Sequence, residues 1–230
     1  MPAATCGSFA STGPTASQSR SDAEDLTRIN AILRAADGRQ LLVGASSIAE
    51  IFVQEPRPAP PPERRPAPAQ AGVFLLAGSR SATTAAQIEA AEAWRKLALT
   101  PEAAADGSLV SQAADLLAAH CPVLVHLLPD RDYGVVPGAL ADISARFVTN
   151  VLERVDIGYL GLAGGDTSSR VCAALGFTAL EHDADLDPGV CVCRMHHTSS
   201  RRNGLRVMLK GGQMGQTDLF DRFAAFAKGV

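Results

Sequence analysis

The alternation of apolar and polar positions predicts strands and helices taken in turn from residue 72 onward. Val73–Ala77 is a short apolar run of the kind found inside a sheet, followed by small and hydroxyl residues over Gly78–Thr83. Thr84–Thr100 is predicted as a helix with Ala85, Ile88, Ala91 and Trp94 on one side, and Leu109–His120 as a second. Pro122–Leu128 (PVLVHLL) is a strand. Pro137–Val155 is a long helix with a stripe of Leu140, Ile143, Phe147, Val151 and Leu152. Ile157–Leu162 is again a buried strand; Gly164 and Gly165 break it, and either Asp166 or Thr167 is placed to cap a helix beginning near Ser168 and stopped by Gly176. Phe177–His182 and Val190–Arg194 are shorter strands separated by an Asp/Pro/Gly turn over Asp183–Gly189. Leu205–Leu209 precedes a glycine turn, Lys210–Gly215, and Asp218–Ala227 closes the chain as a helix facing inward with Leu219, Phe220, Phe223 and Phe226. Such alternation predicts an α/β fold: a mainly parallel sheet covered by helices on both faces, with ligands at the carboxyl ends of the strands.

The first 71 residues read differently. Met1–Ser21 is rich in Ala, Ser, Thr and Gly without periodicity and is expected to be a disordered tail. Asp22–Ala36 has Leu26, Ile29, Ile32 and Leu33 on one helical face, and Gln40–Val43 with Gly44–Ser47 reads as a strand and turn into a helix through Phe52. Glu55–Ala71 (EPRPAPPPERRPAPAQA) is a proline-rich linker that favours extended backbone. The expected division is a tail over 1–21, a small piece over 22–54, a linker over 55–71 and one domain over 72–230.

Composition narrows the partners. The chain has 230 residues, 47% hydrophobic and 20% charged, enough for one well-buried domain. A net charge of −3 gives no basic footprint for nucleic acid and no polybasic signal for a membrane surface, and no apolar run reaches the length of a membrane span. The five cysteines (Cys6, Cys121, Cys172, Cys191, Cys193) are odd in number and lack a CxxC pair, which argues against a disulfide framework and for a reducing, cytoplasmic setting.

Three turns carry the chemistry, each after a predicted strand: GSRS at Gly78–Ser81, GGDT at Gly164–Thr167 and KGGQMG at Lys210–Gly215. In a parallel sheet all three lie at one edge. They supply glycine N–H groups, the hydroxyls of Ser79, Ser81 and Thr167, the carboxylate of Asp166 and the ammonium of Lys210. That inventory suits a polyphosphate with a magnesium ion, with Asp166 on the metal or on a proton. A helix entered directly from a glycine turn also offers free N–H groups to phosphate. Neither GxxxxGK[ST] nor GxGxxG is present. Three tight structural turns are the plain alternative, with Asp166 a helix cap and Lys210 a solvated strand end. Arg80 and Arg170 lie beside the turns and are better placed for an anion than Arg201 and Arg202. Cys191 and Cys193 alternate onto one strand face with His196 and His197 nearby, but without a second ligand pair at zinc-site spacing they read as buried thiols. His120 and His126, at or in an apolar strand, read as structural.

GSRSATTAAQI (Gly78–Ile88), AGGDTSSRVCAALG (Ala163–Gly176) and LKGGQMGQTDLF (Leu209–Phe220) resemble the signature segments of the four-carbon acid sugar kinase family, and DPGVCVCRM (Asp187–Met195) resembles the segment between the last two. The resemblance covers that family's C-terminal nucleotide-binding domain, roughly Gly72 to the end. Asp22–Glu50 resembles the last part of its N-terminal, acid-sugar-binding domain. It implies transfer of the ATP γ-phosphate to a hydroxyl of a threonate- or erythronate-like acid. It also implies that Ser79, Ser81, Gly164, Gly165, Asp166, Thr167, Lys210, Gly211 and Gly212 line the nucleotide phosphates, with ATP and Mg2+ as cofactors. The rest of the sugar-binding domain has no counterpart in this sequence. The expectation is therefore nucleotide binding with little turnover, an acid-sugar partner only if the other domain is supplied, and self-association through an uncovered face. A non-catalytic interaction or regulatory subunit is the alternative.

Overall fold

The structure is a computed structural model that describes residues 72–229 together with Ala31 and Ala35, both helical. The chain divides into two units, Met1–Pro61 and Pro62–Val230, and the second contains everything described below. The expected tail, the remaining features of 22–54 and the linker lie outside the described residues.

Seven strands form one sheet: β1 (Gly72–Ala77), β2 (Arg95–Ala98), β3 (Val123–His126), β4 (Ile157–Ala163), β5 (Ala179–Asp187), β6 (Val190–His196) and β7 (Arg206–Lys210), in the order β2-β3-β1-β4-β7-β6-β5. The first five in that order run parallel; β6 is antiparallel to both β7 and β5. Among the described residues of this second unit six helices accompany the sheet: α1 (Ala82–Ala90), α2 (Pro101–Ala105), α3 (Ser108–Ala118), α4 (Pro137–Arg154), α5 (Gly165–Leu175) and α6 (Leu219–Lys228). The expected α/β architecture is borne out.

The central strands are buried on both faces, which is why they read as continuous apolar runs rather than as alternation. Phe74, Leu76, Leu160, Leu162 and Val207 pack on one side with α3, α4 and α5. Val73, Leu75, Tyr159 and Met208 pack on the other with α1 and α6. Gly161 leaves room on this second side, since a Cβ there would lie 2.8 Å from Leu75 Cγ and 3.0 Å from Phe223 Cε1.

Three expectations are corrected. The helix predicted over Thr84–Thr100 stops at Ala90, and Arg95–Ala98 is the edge strand β2. The carboxylate of Asp221 on α6 accepts from Glu92 N (3.1 Å) and Ala93 N (3.3 Å), and Trp94 Nε1 donates to Phe220 O (3.2 Å), so α6 draws the chain out of its helix. The turn predicted over Asp183–Gly189 is strand as far as Asp187. Arg206 and Arg194 hold the Asp183 carboxylate at 2.8 and 3.5 Å, and Arg222 holds Asp187 at 2.6 Å, which keeps these aspartates in an extended ladder. Finally, α5 starts at Gly165, capped by Gly164 at φ 122°, so Asp166 and Thr167 lie inside the first turn and neither caps it.

Candidate phosphate site at one sheet edge

β1, β4 and β7 are adjacent and parallel, so the turns that follow them meet at one edge. Backbone bonds join them. Gly78 N and Ser79 N both donate to Ala163 O at 2.9 Å, and Gly164 N donates to Lys210 O at 3.0 Å. The turns also fit closely. A Cβ on Gly164, at φ 122°, would lie 3.0 Å from Ser79 N, so glycine lets these two backbones approach, and one on Gly212 would meet the Ser79 side chain, 2.5 Å from its Oγ. Gly165 is different: nothing lies within 4 Å of where its Cβ would be, and it and Asp166 are exposed.

The N-terminus of α5 carries no side-chain cap. In an α-helix the first N–H groups have no intrahelical acceptor, so those of Gly165, Asp166 and Thr167 are left for an external one. Thr167 is buried beside Gly78, and Ser79 Oγ accepts from Ser81 N at 3.3 Å. Donors and one exposed carboxylate thus converge where two glycine turns face a helix start.

On the α1 side a buried cluster fixes the third turn. Ser81 Oγ caps α1 by accepting from Thr84 N (3.1 Å) and donates to Gly212 O at 2.5 Å. Thr84 Oγ1 donates to the same carbonyl at 2.9 Å and accepts from Lys210 Nζ at 2.9 Å. Lys210 is 3% exposed, with its ammonium 5.7 Å from the centre of the Phe220 ring. Burial pushes its pKa down to about 8. The amide of the fully buried Gln87 donates to the carbonyls of Met214, Gly215 and Gln216 at 2.9–3.1 Å. Neither Thr84 nor Gln87 stood out in the sequence. The only signal was their spacing of three and six residues from the helix cap Ser81, which puts all three on one face of α1.

The other singled-out residues separate. Arg80 donates to Pro129 O at 2.7 and 2.9 Å and lies 5.7 Å from the Tyr133 ring centre, so it stays at the site's margin. Arg170 pairs with Asp142 at 3.5 Å. Arg201 and Arg202 bind Asp156 and Leu175 O, away from the turns. Cys191 and Cys193 share a strand face with their sulfurs 3.6 Å apart. His196 pairs with Glu181 at 3.1 Å, and His197 Nδ1 accepts from Ser199 N at 2.7 Å. Half-buried His126, hydrogen-bonded to Leu127 O, has its pKa lowered by burial. Among the described residues no group of three or more His, Cys, Asp or Glu side chains is arranged to hold a metal ion. Asp166 is thus one carboxylate, suited to a metal that takes its other ligands from phosphate and water. No described helix is long and apolar enough to cross a membrane.

A family model described as nucleotide-binding C-terminal domain matches residues 74–220. Among curated proteins, the chain is 33% identical over 190 residues to a 3-oxo-isoapionate kinase of Paraburkholderia graminis, covering 70% of this chain and 40% of that protein. It is 33% identical over 161 residues to a 3-oxo-tetronate kinase of Burkholderia multivorans, covering 64% and 37%. The chain therefore spans about 40% of the length of the curated relatives it matches. Among solved structures, a Bordetella bronchiseptica protein with a domain of unknown function (DUF1537), crystallised with citrate as a domain-swapped dimer, superimposes with a TM-score of 0.59 at 22% identity, covering 70% of this chain and 42% of that one. A DUF1537 protein of Haemophilus influenzae gives 0.56 at 23% identity, covering 71% and 41%. These two show the shared fold. By the family match over nearly the whole sheet, the chain belongs to the nucleotide-binding C-terminal domain family.

Proposed function

We propose that the chain is the ATP-binding domain of a four-carbon acid sugar kinase. The observation that carries this reading is the start of α5, which has no side-chain cap, with open space at Gly165 and a glycine turn on either side. The N–H groups of Gly165, Asp166 and Thr167 and the hydroxyl of Ser79 hold the phosphate oxygens, and Gly211 and Gly212 close over them with Ser81 bracing the turn. Lys210 stands behind that turn as a fixed positive charge. Asp166 binds the magnesium that accompanies ATP, or takes the proton of the acceptor hydroxyl. The reaction breaks the bond between Pγ and the β,γ-bridging oxygen and forms one from Pγ to the acceptor oxygen; ADP leaves, and the hydroxyl proton goes to base or solvent. Phosphoryl transfer depends on positioning and charge stabilisation between two bound substrates, so turnover also needs an acceptor-binding surface beyond the residues described. The names of the curated relatives support a 3-oxo sugar acid as acceptor, of four carbons in the 3-oxo-tetronate kinase, and a cytoplasmic setting fits such a role.

The test is a calorimetric titration with Mg-ATP of the wild-type chain and of Asp166→Ala. Saturable binding that loses its magnesium dependence in the variant supports the reading. A folded chain that binds no nucleotide refutes it and leaves the interaction-subunit alternative. Sedimentation of the same samples tests self-association.

A further inference from the structure

Two cavities flank the first turn of α5, and their linings differ in chemistry. One, about 450 Å³, lies between α5 and strands β5 to β7; its walls include Cys172, Leu180, Cys191 and Leu209, and Gly165 and Gly211 bound it at the turns. The other, about 240 Å³, lies on the α4 side of the same turn and gathers Arg80, Asp132, Tyr133 and Asp166.

We propose that the nucleoside of the bound nucleotide occupies the larger cavity while its phosphates lie on the Gly164–Thr167 turn, so that the acceptor approaches from the smaller cavity, on the Asp166 side. This rests on the reading of the turns as a phosphate cradle.

Continuity is the first argument. Gly165 and Gly211 belong both to the turns and to the rim of the larger cavity, so a chain of phosphates leaving the α5 start runs directly into it. The second is the match of surfaces. A nucleobase presents two apolar faces, and the larger cavity offers aliphatic and thiol walls in a volume typical of small-molecule sites. Leu180, in that wall, is 49% exposed, apolar area that a base would cover. The third is an orphaned polar atom. Ser168 Oγ is buried, has no hydrogen-bond partner and belongs to a residue that lines this cavity. A buried hydroxyl without a partner is disfavoured, and a ribose hydroxyl or ring nitrogen supplies one. The smaller cavity is the wrong place for a base. It would require desolvation of Arg80 and Asp166, whereas a small hydroxy acid matches them, its carboxylate to the guanidinium and its hydroxyl to the aspartate.

Cys172 and Cys191 make the inference testable in the 230-residue chain. Alkylation by iodoacetamide is followed at both thiols by peptide mass spectrometry, with ATP, ADP or inorganic tripolyphosphate present. ATP and ADP slow labelling at both cysteines at least fivefold, while tripolyphosphate displaces ATP yet leaves labelling unchanged. Cys172→Phe, which fills the cavity, lowers ATP affinity at least tenfold with tripolyphosphate affinity within twofold. Leu180→Ala, at an exposed strand position that the fold tolerates, weakens ATP about threefold and spares tripolyphosphate. If tripolyphosphate competes with ATP but ATP protects neither thiol, or both variants affect the two ligands equally, the inference is overturned and the phosphate cradle stands. If the folded chain binds neither ligand, the cradle reading fails and the inference falls with it.

Discussion

Thr167 fills the space that a side chain at Gly78 would need: a Cβ built on Gly78 would collide with the threonine's Oγ1, Cγ2 and Cβ. This contact sets how far the first turn of α5 can sit from the end of β1, and so the spacing of the free N–H groups at the helix start. Gly78→Ala is expected to destabilise the domain by about 1–3 kcal/mol, the usual cost of an added methyl in a packed site. It should also weaken Mg-ATP binding by pushing the helix start outward. Because the strain is pairwise, Gly78→Ala with Thr167→Ala should recover part of the loss. Urea unfolding of the four chains in a double-mutant cycle reads the coupling, and strict additivity would mean that the two residues do not oppose each other.

Gln87 holds the third turn and its exit through three carbonyls, of which that of Gln216 also accepts from Leu219 N at 3.1 Å. Gln87→Leu keeps much of the volume and removes the donor, leaving the carbonyls of Met214 and Gly215 without it. A loss of about 1–3 kcal/mol is expected, together with lower nucleotide affinity because the Lys210–Gly215 turn loosens. Thr83 donates to Gln213 on the same turn at 3.0 Å, but in an exposed position. Thr83→Ala should cost under about 0.5 kcal/mol. If the two variants have equal effects in urea titrations, the third turn is not anchored through α1.

The sequence made the three turns legible because each is a local pattern, a buried strand followed by glycine and small polar residues. Their convergence then followed from parallel strands alone. What it hid were partners far along the chain. Ala91 and Trp94 continue the helical spacing of Ile88, and Glu89, Glu92, Arg95 and Lys96 are good helix formers, so helix was the natural reading. The Asp221 carboxylate that ends the helix comes from nearly 130 residues away. Asp183, Asp185 and Asp187 disfavour strand by propensity. Only the arginines on β6, β7 and α6 make two of them compatible with one. The buried role of Lys210 was hidden for the same reason: its partners Thr84 and Phe220 sit on helices at opposite ends of the domain's sequence.

Lys210 should leave a pH signature. Its folded pKa of about 8 lies below the ordinary lysine value of 10.5 because burial disfavours the ammonium. Below about 8 both folded and unfolded chains carry the charge, and the burial penalty is fully present. Between about 8 and 10.5 the unfolded chain holds a proton that the folded chain has released, so this group makes stability rise with pH. Wild type should therefore gain on Lys210→Met as pH rises through that window, in urea unfolding at a series of pH values. Nucleotide affinity should move the opposite way, falling above pH 8 as the charge behind Gly211 and Gly212 is lost. A flat difference between wild type and variant would place Lys210 in solvent.

Cys191 gives the last expectation. Its sulfur is 3.6 Å from that of Cys193, and the hydrogen bond from that thiol, with the nearby His182 helping, brings the Cys191 pKa down to about 6, against the effect of burial. His182 is in turn held by Asp185 at 3.0 Å, a hydrogen bond that raises the imidazole's pKa. The same pairing pushes Cys193 upward, so one thiol of the pair reacts and the other does not. Iodoacetamide labelling of Cys191 should therefore rise with a midpoint near pH 6, while Cys193 stays unmodified into the alkaline range. Removing the donor in Cys193→Ala should shift the Cys191 midpoint up by at least one pH unit, and His182→Ala by less. Both variants keep a small side chain on a strand that is already packed, so a change in labelling with unchanged circular dichroism reports on the thiolate alone. Equal labelling of the two cysteines at pH 7 would show that neither sulfur stabilises the charge of the other.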